Sequence, residues 1–489
     1  QAPAEGPRDG WVYCVPLADP RKQLAFVRHY KSLGRRVGCG TYGRLALEHP
    51  EAVRDALALA DAFFCNEREA AALFGAAERV RAAPGRLLFV TRGAHGARVL
   101  QGAHASDVPG VAALEVDPTG AGDTFCGTAL ALLARGEHPV RAASRAVAHA
   151  AQMIGAFGPS ALLAPSPLPD DACDPRVRVD EQRGARVAAL LARLDEVRPF
   201  DFVSPDLPPP GHPGALDFLF AATLQQFGFW SLEADRYARP MIASLAGRRL
   251  KGSDYLWAAY RRWLDEAPEV LAPAGQAQLD AAQLALRLRD DDRHDPLPAT
   301  QLRLSQARGY GGDMTALGLT PRAIVEHANA GPAPVTRLLA ELDRVGGYKE
   351  DPLRKKSALL AAILRERPER FLRSEHGDDV PPIVDYHVQR SCLRLGLVAV
   401  DDPVLAQQLA ERRRVSPEDE WAVRSAAFRA MQSLSAISGR PMAACDFFLF
   451  RMRERCPEMS EPECARCPAD PACAHRKDLF QPVIRTAFY

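Results

Sequence analysis

Asp117-Pro-Thr-Gly-Ala-Gly-Asp-Thr-Phe125 runs into Cys126–Leu133, a stretch of small and apolar residues. It reads as the close of an extended segment and the opening of a helix. Gly120, Ala121 and Gly122 let successive backbone N–H groups point at one spot at the helix N-terminus. Such a spot binds phosphate or a developing phosphoryl charge. Asp123 stands beside it, where a carboxylate can take a proton from an attacking hydroxyl. The plainer reading of the same residues is a Gly-rich turn with an N-capping Asp.

Around this stretch, short apolar runs alternate with helical patterns as far as Ala164. Trp11–Pro16, Ala62–Cys65, Leu87–Thr91 and Ala97–Leu100 are expected strands, and Arg21–Leu33 an expected helix. That rhythm predicts an α/β sheet domain over residues 1–164. A Pro- and Asp-rich linker is expected over 165–181. A helical domain is expected over 182–455, from the periodicity of Ala185–Val197, Ala215–Phe227, Asp254–Glu266, Gln276–Leu288, Lys355–Arg365, Val404–Arg414 and Glu420–Ile437. Gly38-Cys-Gly-Thr-Tyr-Gly43 fits G-x-G-x-x-G, but Pro50 interrupts the helix that a dinucleotide site needs.

The chain has 489 residues and 11 cysteines. Four of these are spaced Cys456-x7-Cys464-x2-Cys467-x5-Cys473 and set off a last segment, 456–489. The other seven are scattered singly, which argues against a disulfide framework. Four thiolates so close can surround one metal centre. One Cys-x2-Cys pair with wider steps on each side suits a 4Fe-4S cubane; zinc and ordinary free thiols are the alternatives. Lys plus Arg is 62 and Asp plus Glu is 61, a balance unlike that of proteins that coat nucleic acid. No apolar run reaches membrane-spanning length. The thiols and the cluster suit a reducing cytoplasm.

The Asp117–Phe125 stretch resembles the signature of the ribokinase-like (PfkB) carbohydrate and nucleoside kinases. Ala62-Phe-Phe-Cys-Asn-Glu-Arg-Glu69 is similar to that family's Asn-x-x-Glu motif. Val90-Thr-Arg-Gly-Ala-His-Gly-Ala97 resembles its strand–Gly–strand segment beside the nucleotide, and Ala146–Gly155 its helix near the adenine. The resemblance implies ATP and Mg2+. It makes Asp123 the base, Gly120, Ala121 and Gly122 the anion hole, Asn66 and Glu69 the metal–phosphate helpers, and Gly93 a nucleotide neighbour. Only the C-terminal half of that family is matched. Gln1 in place of Met therefore implies either a longer natural chain or a kinase half that serves as scaffold.

Pro382-Ile-Val-Asp-Tyr-His-Val-Gln-Arg-Ser-Cys392, with the cysteine loop behind it, resembles the helix-hairpin-helix DNA glycosylases of the endonuclease III type. In them an aspartate stabilises charge growing on the sugar as the N-glycosidic bond breaks; as a bare sequence feature, Asp385 is a helix N-cap. The Leu-Pro-Gly-Val-Gly hairpin and the lyase lysine of those enzymes are absent. The order of Phe227–Ser231, Leu250–Glu266, Lys355–Leu360, Asp385-Tyr386 and Val483–Tyr489 resembles the queuosine salvage proteins, which are queuosine 5′-phosphate N-glycosylases. This implies Asp385 as the catalytic carboxylate. It also implies Phe229 and Trp230 as base-stacking rings, and Lys355, Lys356, Lys251 and Arg485 as phosphate holders. The plainer readings are aromatic core and solvated charge.

The expected fold is thus a partial ribokinase-like α/β domain followed by an all-α, helix-hairpin-helix glycosylase-like domain with a four-cysteine cluster loop. The expected function is bifunctional nucleoside salvage. ATP-dependent phosphorylation of a modified, queuosine-like nucleoside would be followed by hydrolysis of its 5′-monophosphate. The alternatives are a cluster-bearing DNA or RNA base glycosylase with a vestigial kinase, and a non-catalytic sensor. A small nucleoside or nucleotide is the expected partner, with no membrane and with nucleic acid disfavoured.

Overall fold

The computed structural model describes residues 10–76, 80–158 and 174–489. The chain divides into two compact units, 1–172 and 173–489, each with its own core. No helix among the described residues is long and apolar enough to cross a membrane.

The first unit runs β1 (Trp11–Cys14), α1 (Pro20–Ser32), β2 (Arg36–Gly40), α2 (Gly43–Glu48), α3 (Pro50–Leu59), β3 (Ala62–Asn66), α4 (Glu67–Phe74), β4 (Leu87–Thr91), β5 (Ala97–Gln101), β6 (His104–Val108), α5 (Ala121–Ala134) and α6 (Pro139–Met153). The six strands form one sheet in sequence order. β1 to β4 are parallel and β4, β5 and β6 antiparallel. Because side chains alternate along a strand, β3 feeds both faces. Phe63 and Cys65 pack with α1, α3 and α4, whereas Ala62 and Phe64 pack with α5 and α6. Phe64 stacks on Phe89 at 4.8 Å between ring centres, and Phe125 of α5 meets both edge-on. These rings seat α5, and hence the Gly120 turn, on the sheet.

The second unit runs β7 (Val177–Val179), α7 (Glu181–Leu191), α8 (Ala215–Leu224), β8 (Trp230–Glu233), β9 (Arg236–Pro240), β10 (Ile242–Leu245), β11 (Arg248–Lys251), α9 (Ser253–Glu266), α10 (Pro273–Gln278), α11 (Ala281–Leu288), α12 (Thr300–Ala316), α13 (Pro321–Asn329), α14 (Pro334–Leu342), α15 (Lys355–Glu366), α16 (Tyr386–Leu395), β12 (Val398–Val400), α17 (Pro403–Ala410), α18 (Pro417–Ser438) and α19 (Met442–Arg451). α8, α9 and α11 to α15 share one apolar core, and α7 with α16 to α19 share a second.

Helices dominate this unit, but it is not all-α. β8–β9 and β10–β11 are antiparallel hairpins, and β7 pairs with β12. The expected linker 165–181 is therefore too long. Its residues 165–173 lie outside the described residues, but 177–179 form β7 and Asp180 caps α7. The expected helix Gln276–Leu288 breaks at Asp280, which accepts from Gln283 N at 2.8 Å and restarts the chain as α11. Nor is 456–489 a separate body. Cys467, Ala469, Ala472, Cys473 and Leu479 pack into the second helical core.

Candidate functional site

In the first unit, the chain turns at Gly120 with φ of +87°, a conformation that costs a side chain about 1–2 kcal/mol. A Cβ there would also lie 2.9 Å from Met153 Cε. Asp117 builds the turn by accepting from Thr119 N and Gly158 N, both at 3.0 Å. Ala121 N donates back to Pro118 O, and Thr124 N to Gly120 O. Gly122 and Asp123 lie between them in the first turn of α5, where backbone donors lack intrahelical acceptors. Both are exposed, and a Cβ on Gly122 would meet nothing within 4 Å. This open end of a 14-residue helix fits an anion.

Asn66 and Glu69 behave differently. Asn66 caps α4, and the two side chains close a capping box. Glu69 N donates to Asn66 Oδ1 (2.9 Å), Asn66 N to Glu69 Oε2 (2.9 Å), and Asn66 Nδ2 to Glu69 Oε1 (2.8 Å). Both carboxylate oxygens are thus engaged within the box, and burial raises the Glu69 carboxyl. Asp123 and Glu69 both act electrostatically on the Cys126 thiol, so helices α4 and α5 bring them to the same region. Gly93 begins a single 3-10 turn with φ of +55° and open space beside it.

In the second unit, a cavity of about 480 Å³ opens between the two helical cores. Its walls are aromatic, including Phe229, Trp257, Tyr386, Phe447 and Phe450, and its polar groups include Lys355, Asp385, Asp446, Arg451 and Arg453. Asp385 caps α16, with Oδ1 accepting from Val388 N at 2.9 Å. Lys355 starts α15. Its N–H is capped by Asp351 (2.8 Å), and its Nζ donates to Gln226 O (2.8 Å). Burial lowers the Lys355 ammonium, opposed by Asp385 and Asp446. Burial first and the Asp385 charge second push Asp446 well above the usual carboxylate range.

Asp351 is held in turn by Arg424 through two bonds of 2.9 and 2.6 Å, with both side chains almost wholly buried. Arg424 also donates to Val384 O at 3.3 Å, the residue before Asp385, and lies 4.8 Å from the Tyr489 ring centre. One guanidinium therefore locates both Lys355 and Asp385.

Asp385, Lys355 and Phe229 meet in the cavity, while four other expected residues stay outside its lining. Arg485 donates to Gly228 O (3.2 Å) and Trp230 O (3.0 Å) and stacks on Trp230, so its charge is spent tying the tail to the chain before β8. Trp230 is buried, with Tyr237 stacked on its ring and the Arg485 guanidinium over it, which leaves it no open face for a base. Lys356 points away to Gln306 Oε1 (2.9 Å), and Lys251 pairs with Glu458. The cations that do line the cavity beside Lys355 are Arg451 and Arg453. Sequence reasoning missed both, and also Asp446. The available signal was a lone aspartate in the apolar run Ala443-Ala-Cys-Asp-Phe-Phe-Leu-Phe450.

Cys456, Cys464, Cys467 and Cys473 converge on one small cavity next to Arg394. All four are unpaired thiols, and the thiol of Cys473 feels the other three. Arg394 Nη1 lies 3.2 Å from Cys456 Sγ, and its backbone oxygen 3.6 Å from Cys473 Sγ. Four sulfurs around one cation-flanked hole fit a metal centre. A second donor set at the loop, Cys464 with Asp470 and His475, lies within 4.8 Å. The loop also reaches the cavity wall. Buried Glu458 accepts from Tyr237 and Lys251 and lies 3.6 Å from His387, which lines the cavity.

Residues 40–166 match the model of the pfkB family carbohydrate kinases. Among solved structures, a Burkholderia thailandensis nucleoside kinase in complex with inosine is 25% identical over 30% of this chain and 51% of its own, with a TM-score of 0.27. An archaeal nucleoside kinase from Methanocaldococcus jannaschii is 22% identical over 30% and 50%, with a TM-score of 0.27. Aminoimidazole riboside kinase from Salmonella enterica is 25% identical over 33% and 60%, with a TM-score of 0.28. The chain spans about half the length of the first of these. No curated protein matches. The N-terminal unit thus carries a ribokinase-like kinase segment.

Proposed function

We propose that the chain joins a ribokinase-type phosphotransferase segment to an N-glycosidic hydrolase of a small nucleoside 5′-phosphate, with a queuosine-like nucleoside as substrate. The observation that carries the hydrolase reading is the cavity of about 480 Å³ that gathers Asp385, Lys355 and aromatic walls. Its size suits a mononucleotide. An aromatic wall takes a base, Lys355, Arg451 and Arg453 would hold the 5′-phosphate, and Asp385 would face the sugar. A carboxylate there stabilises positive charge on the anomeric carbon as the bond to the base breaks.

In the first unit, the α5 N-terminus would hold ATP phosphates and Asp123 would take the proton of the attacking hydroxyl. Mg2+ there would supply charge neutralisation of the phosphates. Glu69 could join it only by opening its bonds to Asn66. For the cysteine loop we favour a structural 4Fe-4S cluster. The four sulfurs share one hole, whereas the trio of donor atoms within 4.8 Å contains only one of them. A four-thiolate zinc site needs all four about 3.8 Å apart, given Zn–S of about 2.3 Å.

The test is mass spectrometry of the protein with ATP, Mg2+, and a panel of nucleosides and their 5′-monophosphates. Base release from a 5′-monophosphate without ATP, and from the nucleoside only with ATP, is expected. Release of base from the unphosphorylated nucleoside by Asp123→Asn at the wild-type rate would refute the order of the two steps.

A further inference from the structure

Five carboxyl side chains line the cavity of the second unit, Asp206, Asp254, Asp385, Asp446 and Glu454, and the hydrolase reading uses only Asp385. Asp385 has a plain structural partner in Val388 N. Asp446 has none on one side: its Oδ1 is buried without a hydrogen-bond partner in the protein. It sits on α19 between Cys445 and Phe447, in a helix whose buried residues are otherwise apolar. Nothing in the packing of α19 calls for a carboxyl group there.

The groups around Asp446 define its state. Asp385, on α16, adds negative charge, Lys355, on α15, adds positive charge, and the neighbouring thiols Cys392 and Cys445 are themselves pushed up by burial. Lys355 is drawn off by its bond to Gln226 O. Burial and the negative charge of Asp385 therefore disfavour the ionised form of Asp446, and Lys355 offsets them only in part. The buried Oδ1 of Asp446, which has no partner in the protein, is the oxygen placed to carry a proton into the cavity. A carboxyl group that its surroundings keep neutral can serve as an acid.

We propose that Asp446 is the general acid of the glycosidic reaction, protonating a heteroatom of the departing base while Asp385 faces the sugar. This rests on the hydrolase reading above. The C1′–N bond breaks and its electron pair passes to the base. Asp446 supplies the proton that neutralises the base. Water adds at C1′ and gives its proton to Asp385, from which it returns to Asp446 through solvent. The products are the free base and ribose 5-phosphate.

The test compares two leaving groups, queuosine 5′-monophosphate and 4-nitrophenyl ribofuranoside 5-phosphate; nitrophenolate departs without a proton. General acid catalysis contributes about 10²–10⁴-fold. Asp446→Asn should therefore slow the nucleotide by about 100-fold or more and the nitrophenyl compound by less than about threefold. Asp385→Asn should slow both. Activity of Asp446→Asn on the nitrophenyl compound also reports an intact fold. Equal slowing of both substrates by Asp446→Asn, or slowing of neither, overturns the assignment. If the wild-type protein cleaves neither substrate, it is the hydrolase reading itself that falls.

Discussion

Asp385 is both a helix cap and the candidate carboxylate of the reaction, and two substitutions separate the roles. Its φ of −98° and ψ of −177° place it at the N-cap of α16, with Oδ1 2.9 Å from Val388 N. Asparagine caps about as well as aspartate, so Asp385→Asn should keep the helix and leave thermal unfolding within about 1 °C of wild type. Alanine removes the acceptor at a cost of about 1 kcal/mol, which lowers the melting temperature by about 2–4 °C or less in a unit of this size. Activity should follow the charge instead. Losing a preorganised electrostatic contact to the transition state costs about 3–4 kcal/mol, or about 10²–10³ in kcat. Both variants should therefore be equally inactive in a chromatographic assay of base release, while only alanine shifts the melting curve. An Asp385→Asn protein within threefold of wild-type kcat would refute the catalytic assignment. An Asp385→Ala protein as stable as wild type would refute the cap.

Arg424→Met leaves Asp351 charged and unpartnered in the core and should cost about 3–5 kcal/mol in urea unfolding, whereas the Asp351→Leu/Arg424→Met pair should recover most of that loss. Gly122→Ala has open space and no positive φ, so it should fold normally yet raise KM for ATP severalfold. Gly120→Ala should destabilise the first unit by at least about 1 kcal/mol in the same unfolding assay. Burial pushes the Lys356 ammonium down to about 7. The unfolded chain therefore holds the extra proton from about pH 7 up to its ordinary value near 10.4, and stability from this group rises with pH across that window. Lys356→Met should accordingly stabilise the protein most at pH 6 and progressively less toward pH 10. Cys467→Ser should lower bound iron and acid-labile sulfide and speed hydrogen exchange around Glu458 and Val483–Tyr489; unchanged exchange in an iron-free protein would show the loop to be independent of the cavity.

The turn at Gly120 and the helix that follows it were legible because their signal is local: three small residues and an aspartate at a helix start. The four cysteines were legible because only spacing was needed. β2 was missed because Arg36-Val-Gly-Cys-Gly40 carries two glycines, which weaken a strand pattern, although a Cβ on Gly40 would lie 2.7 Å from the Tyr13 hydroxyl. The hairpins Trp230–Pro240 and Ile242–Lys251 were missed because their strands are short and only partly buried. Misplacing Arg485 and Trp230 has a different cause. Residue type told that a cation and a ring were available, but not that each would be the other's partner. Direction of a side chain is a tertiary property. The same holds for Lys355 and Lys356, adjacent in sequence and aimed at different neighbours.

The bonds that frame the cavity join residues far apart along the chain. Arg485 meets Gly228 across 257 positions, Tyr489 meets Glu420 across 69, and Arg424 meets Asp351 across 73. Closing such loops costs entropy before any contact rewards it, which makes them late events in folding. Helices such as α9 and α18 can form from local contacts during synthesis, but the pocket cannot. It takes shape only after the segment through Tyr489 is free to pack, so a nascent chain that lacks this segment carries helices without the cavity.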